Sequence, residues 1–182
     1  MHRAPALARL RAHAARPLDP REAEMAADAI RFIEAHPDCL WRRCATGHLT
    51  GSAWILTPDR SWTLLTHHHK LDKWLQVGGH ADGDPDLLAV ALREAREESG
   101  LHRLRPVAAD LFDFDRHWIP GCPGEQAHWH YDFRFLVEAD RDEPLVISSE
   151  SKDLAWVEVA RVPSLNPEES IARMVRKTLG LG

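Results

Sequence analysis

Glu94, Glu97 and Glu98 are the residues of this 182-residue chain whose type and spacing point most directly to chemistry. On a helix these positions are neighbours, and like charges so placed cost about 0.2–0.5 kcal/mol per pair. The cluster becomes favourable once a hard divalent cation sits among its oxygens. Mg²⁺ is held in this manner by a few carboxylates, substrate phosphates and retained waters. The competing reading is a solvated acidic face with Arg93 paired to Glu97 one turn on. The element that must position the carboxylates is bounded by its own sequence. Asp84-Pro85-Asp86 offers two starts: Asp84 as cap with Pro85 as first helical residue, or Asp86 as cap one step later. Gly100 offers the stop, because glycine takes the left-handed conformation that ends helices. Leu88, Ala91, Leu92 and Ala95 make the apolar face. Upstream, a short strand over 73–77 runs into Gly78-Gly79, a double glycine that lets the backbone turn sharply.

Gly79, Arg93, Glu94, Ala95, Glu97, Glu98, Gly100 and Leu101 resemble the Nudix box: Gly, five residues, Glu, seven residues, Arg-Glu-apolar-any-Glu-Glu-any-Gly-apolar. The departure is Pro85, which stands where the pattern has its first Glu; Asp84 or Asp86 is positioned to substitute. The box covers residues 79–101, and the flanking strands extend the resemblance over roughly 48–160. The resemblance implies an α/β fold: the Nudix α/β/α sandwich around a mixed sheet over residues 47–182, preceded by an N-terminal helical extension over 1–46. It implies Mg²⁺-dependent hydrolysis of a pyrophosphate bond in a nucleoside diphosphate derivative, with Mn²⁺ as an alternative ion. The implied metal ligands are Glu94, Glu97, Glu98 and the Gly78 carbonyl. Glu150, six residues before Trp156, matches a glutamate that reaches the metals from outside the box in several family members. Glu97 or Glu150 would polarise the water, and Glu94 completes the catalytic set. Gly79, Arg93 and Gly100 have structural roles in the motif. A homodimer is common in the family. Two other readings belong to the same fold. A nucleotide-derivative sensor would keep the fold and lose box carboxylates, whereas all three are present. An isoprenoid diphosphate isomerase needs a poised Cys and Glu, and nothing marks Cys122 as that acid.

The rest of the chain supplies the frame. Residues 3–15 have a helix-favouring Ala/Leu/Arg composition. Asp19-Pro20-Arg21-Glu22 then caps a helix over 20–35 with Met25, Ala26, Ala29, Ile30 and Ile33 on one face. Residues 50–56 and 61–66 read as a hairpin about the turn Thr57-Pro58-Asp59-Arg60. His67-His68-His69 cannot all meet one ion, because successive strand residues face opposite ways. Lys70 and His80 are candidates for substrate contact. A strand is expected over 107–118, with Phe112 and Phe114 on one side, then a Pro/Gly loop over 119–126. Residues 128–137 alternate cleanly. Trp129, Tyr131, Phe133 and Phe135 face one way; His128, His130, Asp132 and Arg134 face the other. His130 and Asp132 are candidate substrate contacts. A zinc site from His128, His130 and Asp132 is geometrically conceivable and ranks behind that reading. Residues 154–159 form a strand. Asn166-Pro167-Glu168-Glu169 starts a last helix with Ile171, Met174, Val175 and Leu179 as its buried stripe.

Composition bounds the partners. A net charge of −5 argues against a large basic footprint for duplex nucleic acid, and leaves room for a small phosphorylated substrate whose charge a metal offsets. Cys39, Cys44 and Cys122, odd in number and without CxxC spacing, suggest a reducing cytoplasm and no zinc site. No signal peptide or membrane-length apolar run is recognisable. The acidic loop at 82–86 fails as an EF-hand, whose sixth and twelfth positions would be Leu87 and Arg93. No GxxxxGK[ST] is present.

Overall fold

The computed structural model describes residues 2–69, 71–121, 124, 126–149 and 151–180. Two helices lead, α1 (Ala4–Ala14) and α2 (Pro20–Ala35), followed by strands β1 (Gly47–Leu56), β2 (Trp62–His68), β3 (Lys73–Leu75) and β4 (Val77–His80). Helix α3 (Leu87–Ser99) comes next, then β5 (Arg105–Pro106), β6 (Asp113–Ile119), β7 (His128–Glu138) and β8 (Ser151–Glu158). Helices α4 (Val162–Leu165) and α5 (Glu169–Leu179) close the chain. A mixed sheet with flanking helices is the architecture expected, and the N-terminal helices are present. The expected strand over 73–77 is two short strands, broken at Gln76. The residues group into two compact units: Met1–Ser52, Gly79–Ala91 and Ala109–Phe135 in the first; Ala53–Gly78, Leu92–Ala108 and Leu136–Gly182 in the second.

In the first unit α2 begins where its sequence says it should. The Asp19 carboxylate accepts from the amides of Arg21 and Glu22, and Pro20 needs no donor there. Met25, Ala26, Ala29 and Ile33 are buried together with Phe32, while Ile30 is half-buried. Phe32 stacks on Tyr131 of β7, ring centroids 4.2 Å apart. Strands β6 and β7 form an antiparallel pair that sets Phe114 opposite Phe133, both fully buried. The expected strand over 107–118 forms only from residue 113. Ala108-Ala109-Asp110 has no alternating apolar side chains to bury, so that stretch bends. On the other edge of β7 lies β1: the Trp129 amide donates to the Thr46 carbonyl. Burial of both faces of β7 follows. Tyr131, Phe133 and Phe135 fill one side, and His128, Asp132 and Arg134 are buried on the other.

In the second unit β2 pairs antiparallel with the end of β1, with β3 and along β8. The β1–β2 turn is fixed by Asp59, which accepts from the Thr57 hydroxyl and the Ser61 amide. Fully buried Trp54 donates its indole N–H to the Thr178 hydroxyl at 3.0 Å. The stripe of α5 is accordingly Ile171, Met174, Val175 and Thr178, whereas Leu179, expected inside, is 47 % exposed. A threonine wins the inner position because it satisfies the buried indole donor. Asn166 precedes the helix rather than capping it directly: its Oδ1 accepts from the Glu168 amide and its amide nitrogen donates to the Trp74 carbonyl.

Candidate active site

Of the two starts the sequence offers, α3 uses the second. Asp86 Oδ1 accepts from the amides of Leu88 and Ala89 at 3.2 and 3.4 Å. Asp84 instead bonds the Asp86 amide at 2.9 Å. Pro85 therefore lies in the loop before the helix. That loop is braced from the N-terminal segment: Arg42 holds Asp82 through two bonds of 3.0 Å, a bidentate geometry that fixes both side chains. Arg9 reaches Asp86 at 3.4 Å. The apolar face of α3 is rotated from the expected one. Leu87, Val90, Ala91 and Ala95 are buried, and Leu88 and Leu92 are half-buried. Gly51 of β1 lets the helix come close, since a Cβ there would lie 2.6 Å from the Leu87 carbonyl oxygen.

The three box carboxylates divide by environment. Glu97 is exposed, Glu94 is half-buried, and Glu98 is 8 % exposed. Glu98 Oε1 accepts from the Gly78 amide at 2.9 Å. One bond thus ties the last carboxylate of the helix to the glycine turn whose carbonyl the resemblance implicates. Arg93 pairs with Glu94 at 2.7 Å, the adjacent residue and not Glu97 one turn on. Gly100 ends the helix with φ +73°, and a Cβ on it would press to 2.7 Å from the Val146 Cβ. The Val146 amide donates to the Ser99 carbonyl there, satisfying one of the orphan acceptors of the last turn. The oxygen-only donor set suits a hard divalent ion. Glu98 is held in place by a backbone donor, which fixes the direction of its carboxylate. Lys70 and Glu150 lie outside the described residues, as does Cys122.

The first unit gathers histidines. His48 from β1, His80 from the end of β4, His117 from β6, and His128 and His130 from β7 lie together. Ring centroids of His48 are 4.6–4.9 Å from those of His80, His128 and His130. His130 Nε2 is 3.0 Å from His128 Nε2 and 3.2 Å from His80 Nε2. His128 Nδ1 is 2.7 Å from the Gln126 carbonyl. Burial first, then the charges of His117, His80, His48 and His128, hold the His130 imidazolium far below its ordinary range. His80 is pushed down to about 4, mainly by burial and then by Arg42 and the other rings.

Asp132, expected beside His130, has other partners. It accepts from the hydroxyls of Thr50 (2.9 Å) and Ser52 (2.6 Å) and from Arg134 Nε (2.8 Å). Arg134 also reaches Asp113 at 3.2 Å and Asp115 at 3.3 Å, all four side chains being buried. Burial alone would lower the guanidinium pKa, but Asp115, Asp132 and Asp113 raise it beyond its usual value. His67 packs on Trp74 and lies 2.9 Å from Asp72, while His69 is exposed. Two histidines of the cluster, His48 and His117, are not singled out by the sequence, and His48 is the one that meets the rings of β7 most closely. The signal for His48 was present: His48, Thr50 and Ser52 alternate along β1 as a polar face, and that face meets the ionisable face of β7.

The family model described as the NUDIX domain matches residues 48–177. Curated protein sequences give no match. Similar solved structures include an Ap4A hydrolase binary complex from C. elegans (17 % identity, 72 % of this chain and 95 % of that one, TM-score 0.58). Dihydroneopterin triphosphate pyrophosphohydrolase from E. coli matches at 16 % identity over 71 % of this chain and 92 % of that one, TM-score 0.54. The NUDIX domain of Shewanella oneidensis NrtR complexed with ADP ribose matches at 16 % over 72 % and 86 %, TM-score 0.53. At these identities the likeness is one of fold.

Proposed function

The chain belongs to the Nudix family; on that premise we propose that it is a pyrophosphohydrolase, cleaving the pyrophosphate bond of a nucleoside diphosphate derivative with Mg²⁺, or Mn²⁺ in its place. The observation that carries this reading is the division of labour on α3. Glu98 is buried and pinned to the Gly78 amide, Glu94 is oriented by Arg93, and Glu97 is exposed beside them. Glu94, Glu97 and Glu98, with the Gly78 carbonyl, would hold the divalent ion. Such an ion supplies positive charge against the phosphate oxygens on which negative charge develops. The chain's own residues then position the reaction. Glu97, free to meet solvent, accepts the proton of the attacking water. Glu98 accepts from the Gly78 amide, which holds the carboxylate still as charge accumulates. Arg93 stops Glu94 from swinging away. Glu150 remains a second candidate base.

Pro85 is compatible with activity because the loop that precedes α3 is braced by Arg42–Asp82 and capped by Asp86. The sensor alternative would dispense with the carboxylates, and this chain retains all three. The test is product release from dinucleoside polyphosphates, ADP-ribose, nucleoside triphosphates, sugar nucleotides and coenzyme A, with Mg²⁺, Mn²⁺ or chelator. One class is turned over in a metal-dependent manner, and Glu97→Gln lowers kcat by about 10²–10⁴-fold, the usual worth of a general base. Equal turnover by Glu97→Gln removes the assignment to Glu97. Absence of turnover across the panel, with metal-dependent thermal stabilisation by one member, establishes the sensor instead.

A further inference from the structure

Five histidines in one place are more than a core needs, and their geometry is specific. One ring nitrogen carries either a single proton or a single lone pair, so it serves one partner in its own direction. His130 Nε2 nevertheless has two other Nε2 atoms at 3.0 and 3.2 Å. A single hydrogen bond satisfies one of these approaches and leaves the other as a contact between like groups. A cation among them satisfies all. Imidazole nitrogens bind zinc at about 2.0–2.1 Å in tetrahedral sites, which puts ligand nitrogens roughly 3.3 Å apart. The observed spacings are close to that. One ring nitrogen each of His48, His128 and His130 lie within 4.8 Å of one another, the group among the described residues that meets a metal-ligand spacing.

We propose that His48, His128 and His130, with His80 beside them, form a binding site for a transition-metal ion of the zinc type, built from residues other than the carboxylates of α3. The set differs from the one the alternation of β7 suggests: Asp132 is taken by Arg134, Thr50 and Ser52, and His48 from β1 replaces it. Three features beyond proximity support the site. His128 Nδ1 lies against the Gln126 carbonyl at 2.7 Å. A proton on Nδ1 is thereby held, and Nε2 is left with its lone pair toward His130, the outer-shell arrangement metal-bound histidines use. The donors are imidazole nitrogens, a ligand type that suits zinc, copper, nickel or iron better than Mg²⁺ and Ca²⁺. His128 and Gln126 also line an open depression of about 200 Å³ with Arg42, Arg43 and Cys44, so the cluster borders solvent on that side.

The test uses the full chain, stripped with chelator, exposed to Zn²⁺ in excess Mg²⁺ and desalted, with bound metal measured by elemental analysis. One zinc per chain is retained by the wild type and by Glu97→Gln. Loss of an outer-shell partner alone costs about 10–100-fold in affinity, so His128→Ala and His130→Ala each weaken zinc binding at least about tenfold. Circular dichroism checks that the variants fold. Independently of any variant, Co²⁺ in the wild type gives the intense visible bands of a four-coordinate nitrogen site. Zinc lost in Glu97→Gln but kept in His128→Ala overturns the proposal, as do the weak bands of six-coordinate Co²⁺ or the absence of retained zinc. The outcome is separable from the pyrophosphohydrolase reading, because it is read as bound metal and not as turnover.

Discussion

At the residue scale the positions around the candidate site divide into those legible from spacing and those that are not. Arg93, Glu94, Glu97, Glu98 and Gly100 were legible because the local period of one helix places them. The fate of Asp132 and Arg134 was not. Alternation assigns both to one face of β7, but whether that face meets solvent, substrate or core depends on β1, about 80 residues earlier in the sequence. The same non-local pairing hid His48. Two expectations follow. Glu98→Ala leaves the Gly78 amide without its acceptor in a largely buried place, costing about 1–3 kcal/mol. Glu98→Gln keeps an acceptor, so denaturant unfolding finds most of that stability retained while Mg²⁺ affinity falls. For the network, Arg134→Met strands three buried carboxylates, and chemical denaturation registers a loss of about 3–5 kcal/mol. A smaller loss than in Glu98→Ala contradicts the role assigned to Arg134.

Elements were read well where a cap or a breaker is written in the sequence. Asp19-Pro20 marks the start of α2 and Gly100 the end of α3. They were read less well where tertiary contact chooses between local options. Asp84 and Asp86 are equally good caps by type, and the structure selects Asp86. The buried face of α3 turned to Leu87 and Val90 because Gly51 admits the helix at that turn. The same contact gives an element-scale prediction. Gly51→Ala places a methyl against the Leu87 carbonyl, a backbone atom that cannot swing aside. The helix must shift, at a cost of about 1–3 kcal/mol. Because α3 carries the carboxylates, kcat falls alongside Tm in that variant. A loss of Tm with unchanged kcat shows that the shift is absorbed before Glu94.

For the molecule as a whole, composition excluded partners more readily than it named one. No helix among the described residues is long and apolar enough to cross a membrane, and the negative net charge disfavours duplex nucleic acid. The sequence marks residues 1–46 off by composition, yet it cannot show how firmly they are held. Glu22 is buried with His13 at 2.8 Å and accepts from the Phe114 amide at 3.0 Å. Arg16 donates to the Leu111 carbonyl, and Asp28 pairs with Arg116. Removing residues 1–46 therefore uncovers the Phe114 donor, the Tyr131 ring and the Asp82 brace together. Expression of residues 47–182 alone is expected to yield aggregated protein, or a species without a cooperative thermal transition. A soluble fragment with the parent Tm would show that the helices are dispensable.

The brace before α3 carries a consequence for how this lineage can vary. Gly83 sits at φ +92° directly under the indole of Trp41, so any side chain at position 83 would collide with that ring. Positions 41 and 83 are thus bound as a pair across 42 residues of chain. Among descendants of this sequence, a side chain gained at 83 needs the indole at 41 displaced or lost and also meets the cost of a positive φ, so glycine at 83 should outlast tryptophan at 41, an order readable from a reconstructed phylogeny.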